Sequence, residues 1–340
     1  MAKKKNQLPS GSYRVQVYDY TDVNGKKHYK SFTAPTKKQA QAIAQEWKAN
    51  KSNQRPDGLT IHDAIGKYLD VKRSVLSPST VRGYEGLQRN YFSGDFGKKK
   101  LGDLTNPVIQ LWISNLSARL SPKTVRNAYA LLTATLDMFY PDFCIQTTLP
   151  AKKRPELYCP SDKDVKKLLD HIKGTELEIA VLLAAFGPLR RGEICALTDR
   201  DIHGNIVTVS KSLVQGPDNQ WHIKQPKTYG SYRDVVLPDF VIGRISGIEG
   251  RIVKATPSRI TGRFIEAIES TDIPRFRFHD LRHYSASIMH AIGVPDQYIL
   301  QRGGWISDNV MKSIYRNAID SEAERQNRRI NDHFNSLKIM

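Results

Sequence analysis

The chain has 340 residues, long enough for two or three domains and a sizeable buried core. It carries 52 Lys and Arg against 34 Asp and Glu, a net charge of +18, which favours a polyanionic partner, most often nucleic acid. Its three cysteines, Cys144, Cys159 and Cys195, have no C-x-x-C spacing, which argues against a disulfide scaffold or a zinc cluster. No apolar run approaches the ~18 residues of a membrane span. The lysine-rich start lacks the apolar stretch of a signal peptide, so a soluble protein of the cytoplasm is expected.

Residues 1–55 hold twelve Lys and Arg and three acidic residues, half the excess charge in a sixth of the length. Tyr13 to Tyr18 alternates apolar and polar and predicts a strand, Asn24-Gly25 a hairpin turn, and His28 to Phe32 a second strand. Thr36 caps a helix through Ala40, Ala44 and Trp47. The expected unit is a small three-stranded sheet with one helix. Basic and aromatic residues interleave on its strands, as in sheets that read DNA grooves, which makes Arg14, Tyr18 and Lys30 candidate DNA contacts. Residues 51–58 have the composition of a linker.

Residues 59–150 predict an all-α domain. Helices are expected from Ile61 to Val71 and from Pro107 to Leu116, and two more open on near-copies, Ser77-Pro78-Ser79-Thr80-Val81-Arg82 and Ser121-Pro122-Lys123-Thr124-Val125-Arg126. Serine is a good N-cap and proline suits the first helical position. Lys123 and Arg126 open one of these helices, where phosphate is favoured, and are further candidate DNA contacts. After a basic hinge at 151–155, residues 155–340 predict an α+β domain, mainly helical with a small antiparallel sheet. Helices are expected over Asp162–Ile172 and, buried, over Glu176–Phe186. Strands are expected over Ile206–Leu213, Trp221–Lys224 and Asp234–Leu237.

The most informative residues lie near the end. His279 and Arg282 stand at i and i+3, on one face of a helix. Gly303-Gly304-Trp305 and Tyr315 follow. Arginine is a fixed cation whose planar fork fits two phosphate oxygens, and a tyrosine near such a cluster is a candidate nucleophile. Chemistry on a phosphodiester is the reading. His279 and His283, at i and i+4, also suit a shared zinc in a metal-dependent nuclease, but Asp280 stands where the base glutamate belongs and no third ligand is evident. A DNA-binding regulator without catalysis would explain the charge and the sheet alone.

Further back, Arg190 precedes Glu193 by three residues and Lys227 lies between two predicted strands. The order Arg190-x-x-Glu193, Lys227, His279-x-x-Arg282, Trp305, Tyr315 resembles the tyrosine recombinase family, specifically phage-type integrases. The basic sheet looks like the family's arm-type DNA-binding domain (1–55), the helical unit its core-binding domain (59–150), and the rest its catalytic domain (155–340). There are departures: Pro188 extends the usual Gly-Leu-Arg, Trp305 replaces the commoner histidine, Lys224 competes with Lys227, and Arg191 competes with Arg190 but lacks the offset to Glu193. Tyr284 and Tyr298 are rival tyrosines. Nuclear-type topoisomerases share the chemistry, yet the two N-terminal modules fit integrases better.

The resemblance implies that Tyr315 attacks a phosphate to give a 3′-phosphotyrosine, with no metal, cofactor or ATP. It implies that Arg190 and Arg282 bind the non-bridging oxygens, Lys227 protonates the leaving oxygen, and His279 donates to the phosphate or accepts the tyrosine proton. The Trp305 indole would donate to an oxygen, and Glu193 would orient Arg190. It further implies double-stranded DNA as partner, at core and arm sites. A homotetramer is implied, with exchange of a C-terminal segment from Glu322 through Phe334. DNA-bending and directionality factors would complete the set.

Overall fold

The computed structural model describes residues 8, 10–21, 27–53, 58–152, 158–225, 232–305, 327–328 and 331–332. The chain divides into two compact units, residues 1–154 and 155–340.

In the first unit, β1 (Tyr13–Thr21) pairs antiparallel with β2 (Lys27–Ala34), with Val15 opposite Phe32, Val17 opposite Lys30 and Tyr18 opposite Tyr29. A two-stranded ribbon cannot bury a face by itself. Here α1 (Lys37–Asn53) covers one side, burying Ala40 and Ala44 and setting Trp47 against Phe32 at 5.4 Å. Two strands are described where three are expected, and the Asn24-Gly25 turn lies outside the described residues. The helical part comprises α2 (Ile61–Lys72), α3 (Pro78–Tyr91), the single turn α4 (Asp95–Lys98), α5 (Asn106–Ser117) and α6 (Pro122–Phe139). Thr60 and Ser121 cap α2 and α6 by accepting from the amides of Asp63 and Thr124. The apolar stripes of these helices close on one core that includes Ile65, Leu69, Phe92, Ile109, Ile113 and Leu132, and among the described residues this core takes no buried residue from β1, β2 or α1.

In the second unit, α7 (Asp162–His171) and α8 (Glu176–Phe186) are followed by α9 (Arg191–Ala196) and five strands: β3 (Ile202–His203), β4 (Ile206–Val209), β5 (Ser212–Gln215), β6 (Trp221–Lys224) and β7 (Arg233–Val236). Four further helices follow among the residues described up to Trp305: α10 (Asp239–Ile245), α11 (Pro257–Glu269), α12 (Asp280–Ala291) and α13 (Asp296–Gly303). The apolar α8 is the centre of the core, with Ala180, Val181, Leu183 and Ala184 fully enclosed. The strands form two antiparallel sheets, β3-β4-β7 and β5-β6. The single strand expected from Ile206 to Leu213 is therefore two. The chain changes partner between Val209 and Ser212, and there Lys211 turns back to Asp201 at 2.7 Å and Thr198 at 3.2 Å. Pro188 does not disturb the approach to Arg190: the Leu183 carbonyl accepts from both Gly187 and Leu189, so the missing proline N–H leaves no gap.

Candidate active site

Three elements of the second unit converge on the end of α13. Arg190 occupies the N-cap of α9 in extended backbone (φ −75°, ψ 148°), so its side chain leaves the helix axis while its N–H stays free for a cap. Glu193, one turn on, supplies that cap: its Oε2 accepts the Arg190 backbone N–H at 2.7 Å and its Oε1 accepts from Arg190 Nη1 at 2.8 Å. The other side of the same carboxylate is held by Arg233, whose Nη2 donates to Oε2 at 2.8 Å and Nη1 to Oε1 at 3.3 Å. Burial by itself would push the Glu193 carboxyl up, but the hydrogen bond and charge of Arg233, together with Arg190, hold it below the ordinary carboxylate value. Glu193 is thus a buried carboxylate bridging two guanidinium groups.

The arginines also meet the backbone. α13 ends on a left-handed residue, Gly304 (φ +63°), which turns three successive carbonyls outward. Arg302 O accepts from Arg233 Nε at 2.9 Å, Gly303 O from Arg282 Nη2 at 2.8 Å, and Gly304 O from Arg190 Nη2 at 2.7 Å. The C-terminal end of a helix carries partial negative charge and favours cations. A β-carbon on Gly304 would lie 3.0 Å from Arg233 Nη1, so the turn is fitted to that side chain.

Arg282 is the most enclosed of the three, at 1 % exposure. Its guanidinium lies over the Trp305 ring, 4.8 Å from the ring centroid, a cation–π arrangement. Its Nε and Nη1 have no hydrogen-bond partner among the described residues. Burial, then the charge of Arg190, push its pKa well down, with Glu193 opposing them. Guanidinium stays protonated in proteins, so Arg282 is a buried, part-satisfied cation, which an arriving anion would stabilise.

His279 stands at the N-terminal edge of α12, one turn before Arg282. Desolvation, then the charge of Arg282 and the neighbouring His283, push its pKa down to about 4. The residue keeps an exposed edge, and the direction, a neutral imidazole at pH 7, agrees with an adjacent fixed cation. Its ring meets that of His283 edge-on at 5.2 Å. His283 is largely buried, with Nδ1 unpartnered among the described residues, and burial holds it neutral too. Asp280, between them in sequence, is taken up by Arg277, accepting its backbone N–H at 2.7 Å and its side chain at 2.7 and 3.1 Å. Among the described residues no group of three His, Cys, Asp or Glu side chains is placed to hold a metal ion.

Arg190, Glu193, Arg282 and Trp305 are thus brought together, with His279 at the edge of the same helix start. Trp305 meets Arg282 with its ring face, and it packs on Ala286 and Ile299. Lys227, in the β6–β7 connection, and Tyr315 lie outside the described residues. Lys224 ends β6 opposite Ser212. Of the rival tyrosines, Tyr284 is buried and donates to Asp162 at 2.7 Å, while Tyr298 is exposed. Arg233 has no counterpart in the sequence reading. Its only signal was the alternation of β7, in which Arg233 and Val235 face inward and Asp234 and Val236 outward.

The proposed DNA contacts of the first unit separate. Arg14 and Tyr18 lie on the exposed face of the sheet, Tyr18 edge-on to Tyr29 at 6.0 Å. Lys30 belongs to the opposite register, and its ammonium sits 5.1 Å above the Trp47 ring on the helix side. Lys123 is exposed at the start of α6, whereas Arg126 is committed to the carbonyl of Pro150 through Nε at 3.1 Å and Nη2 at 2.9 Å.

Comparison with known proteins gives the family. Residues 161–322 match the phage integrase family, and residues 60–127 match the phage integrase N-terminal SAM-like domain. A "Tyrosine recombinase XerC-like" protein of Caldanaerobacter subterraneus subsp. tengcongensis is 26% identical, over 98% of this chain and 100% of that protein. The fold is similar to that of the Tn1549 transposon integrase in complex with transposon right end DNA (TM-score 0.65, 17% identity, 80% of this chain and 100% of that one). It is also similar to a lambda integrase tetramer bound to a Holliday junction (TM-score 0.58, 15% identity, 92% of this chain and 96% of that one). With matches to both the catalytic and the SAM-like domain on one chain, the protein belongs to the phage integrase family and is a tyrosine-type site-specific recombinase.

Proposed function

We propose that this recombinase integrates and excises a mobile DNA element by cutting and rejoining DNA through a 3′-phosphotyrosine, with Tyr315 as nucleophile. The observation that carries the reading is the placing of two guanidinium groups, Arg190 and Arg282, on successive carbonyls of one turn, with a neutral histidine on the same helix start as one of them. Phosphoryl transfer asks a protein for positioning and for stabilisation of charge on the equatorial oxygens. Arg282 retains two unpaired donors for that purpose, and Arg190 is 37% exposed at its side chain, open to a ligand. A tyrosine of pKa near 10 is only about 0.1% phenolate at pH 7. The cations favour its ionised form, and neutral His279 is able to accept its proton. The tyrosine oxygen bonds to phosphorus as the bond to the 5′-oxygen breaks. Lys227 protonates that leaving oxygen, and the retained ester energy drives rejoining.

In this reading Arg14, Tyr18 and Lys123 contact DNA, the working assembly is a tetramer on two duplexes, and the segment from Glu322 to Phe334 docks on a neighbour. The DNA-bound solved relatives, one of them a tetramer, support it. Among the described residues no helix is long and apolar enough to cross a membrane. The test is a nicked suicide duplex carrying the element's own junction. The wild-type chain forms a covalent adduct that maps to Tyr315, and Tyr315→Phe binds the duplex without forming it. An adduct from Tyr315→Phe would sink the assignment.

A further inference from the structure

We infer that Arg233 is a positioning residue for strand cleavage, setting Arg190 through Glu193 and Arg282 through the Arg302–Gly304 turn. The inference rests on the proposed function, which makes Arg190 and Arg282 the phosphate ligands.

The side chain of Arg233 is 2% exposed and that of Glu193 8%. A buried ion pair of this kind contributes little net stability, because desolvating both charges offsets their attraction; an apolar pair of similar volume often does as well. What the pair provides here is geometry. Arg233 spends Nη1 and Nη2 on the Glu193 carboxylate and Nε on the Arg302 carbonyl. The first two contacts fix the carboxylate that receives both the backbone and the side chain of Arg190. The third fixes the first of three successive carbonyls, the other two of which hold Arg282 and Arg190. Both phosphate ligands therefore take their position from one guanidinium that is shut away from the DNA. A lysine has the charge but a single nitrogen, and cannot make both sets of contacts.

Glu193 supplies a second signature. Burial raises its pKa, and Arg233 leads the groups that lower it. Without Arg233 the carboxyl takes up a proton at higher pH, and a protonated Glu193 loses its charge-assisted grip on Arg190. The cleavage rate of an Arg233→Gln variant should then rise with pH as Glu193 ionises, an acid limb that the wild type lacks over the same range.

The experiment uses the full chain and the nicked duplex, at saturating DNA, with single-turnover adduct formation measured across pH. DNA affinity and the thermal melt are recorded in parallel. Arg233→Gln is expected to slow adduct formation about a hundredfold, the penalty of a reacting group displaced by about 1 Å, with Kd unchanged and the acid limb present. Arg233→Lys should fall between it and wild type, and adding Glu193→Gln to Arg233→Gln should remove the acid limb. A folded Arg233→Gln that reacts at the wild-type rate overturns the inference, as does a loss that only tracks the folded fraction or DNA affinity. If Arg233→Gln does not fold, Arg233→Lys carries the test by the same criteria. Arg190→Ala separates the two levels. If it still forms adduct, the proposed role of Arg190 fails; if it is inactive while Arg233→Gln is fully active, only the positioning role falls.

Discussion

Gly303→Ala is the smallest change that should disable the site. The residue closes α13 in helical backbone, so alanine there is worth about 1 kcal/mol in helix propensity. Its β-carbon, however, would lie 1.8 Å from Cζ3 and 2.0 Å from Cε3 of the Trp305 ring. The Trp305 side chain cannot stay where it is, and the indole must swing off Arg282. A cation–π contact to a desolvated guanidinium is worth about 2 kcal/mol, and Arg282 is buried. If that contact helps hold Arg282 on the phosphate in the transition state, its loss slows adduct formation about thirtyfold. The assay is a double-mutant cycle in single-turnover cleavage over Gly303→Ala, Trp305→Ala and the pair. Once the indole is gone its clash with the new methyl goes with it, so the pair should match Trp305→Ala alone. Additive losses, or a wild-type rate for Gly303→Ala, would refute the reasoning.

Four further outcomes are expected. His279 has a folded-state pKa of about 4 against an ordinary 6.5, so its contribution to stability is complete above about 6.5 and is lost as pH falls from there through 4. His279→Asn should flatten that part of the stability–pH curve in denaturant titrations, leaving the smaller slope due to His283; an unchanged curve counts against the shift. Arg126→Ala should lower the stability of the first unit by about 1.5 kcal/mol through loss of its charged bond to Pro150, leaving the salt dependence of DNA binding intact. Lys123→Ala should do the reverse, reducing the log–log salt slope by about 1. Adduct formation should persist in excess EDTA, and inhibition by the chelator would revive the zinc reading of His279 and His283.

Much of this was legible in the chain because it depends on local chemistry. Ser121-Pro122 opens a helix because serine accepts an orphan amide and proline needs none, and α6 begins there. The apolar run of α8 could only be buried. The offsets between Arg190 and Glu193, and between His279 and Arg282, carry their own geometry. Non-local pairing was not legible. Nothing in Ile206–Leu213 says that the chain trades one sheet for another after Val209, since alternation reports faces and not partners. Lys30 was read by type, while strand parity puts it on the helix side. Arg233 carries no mark in the sequence, because its partner, the buried Glu193, lies 40 residues earlier with four strands between them.

The end of α13 has a mechanical corollary. Three guanidinium groups are tethered to consecutive peptide units, with no side chain of α13 as intermediary. A fray of that last turn would take one contact from each of them in one event, leaving Arg190 and Arg233 on the Glu193 carboxylate. The same strand of backbone runs on through Trp305 to Tyr315, ten residues later. In the proposed reading, the peptide units that hold the cations thus lie in the same stretch of sequence that leads to the nucleophile.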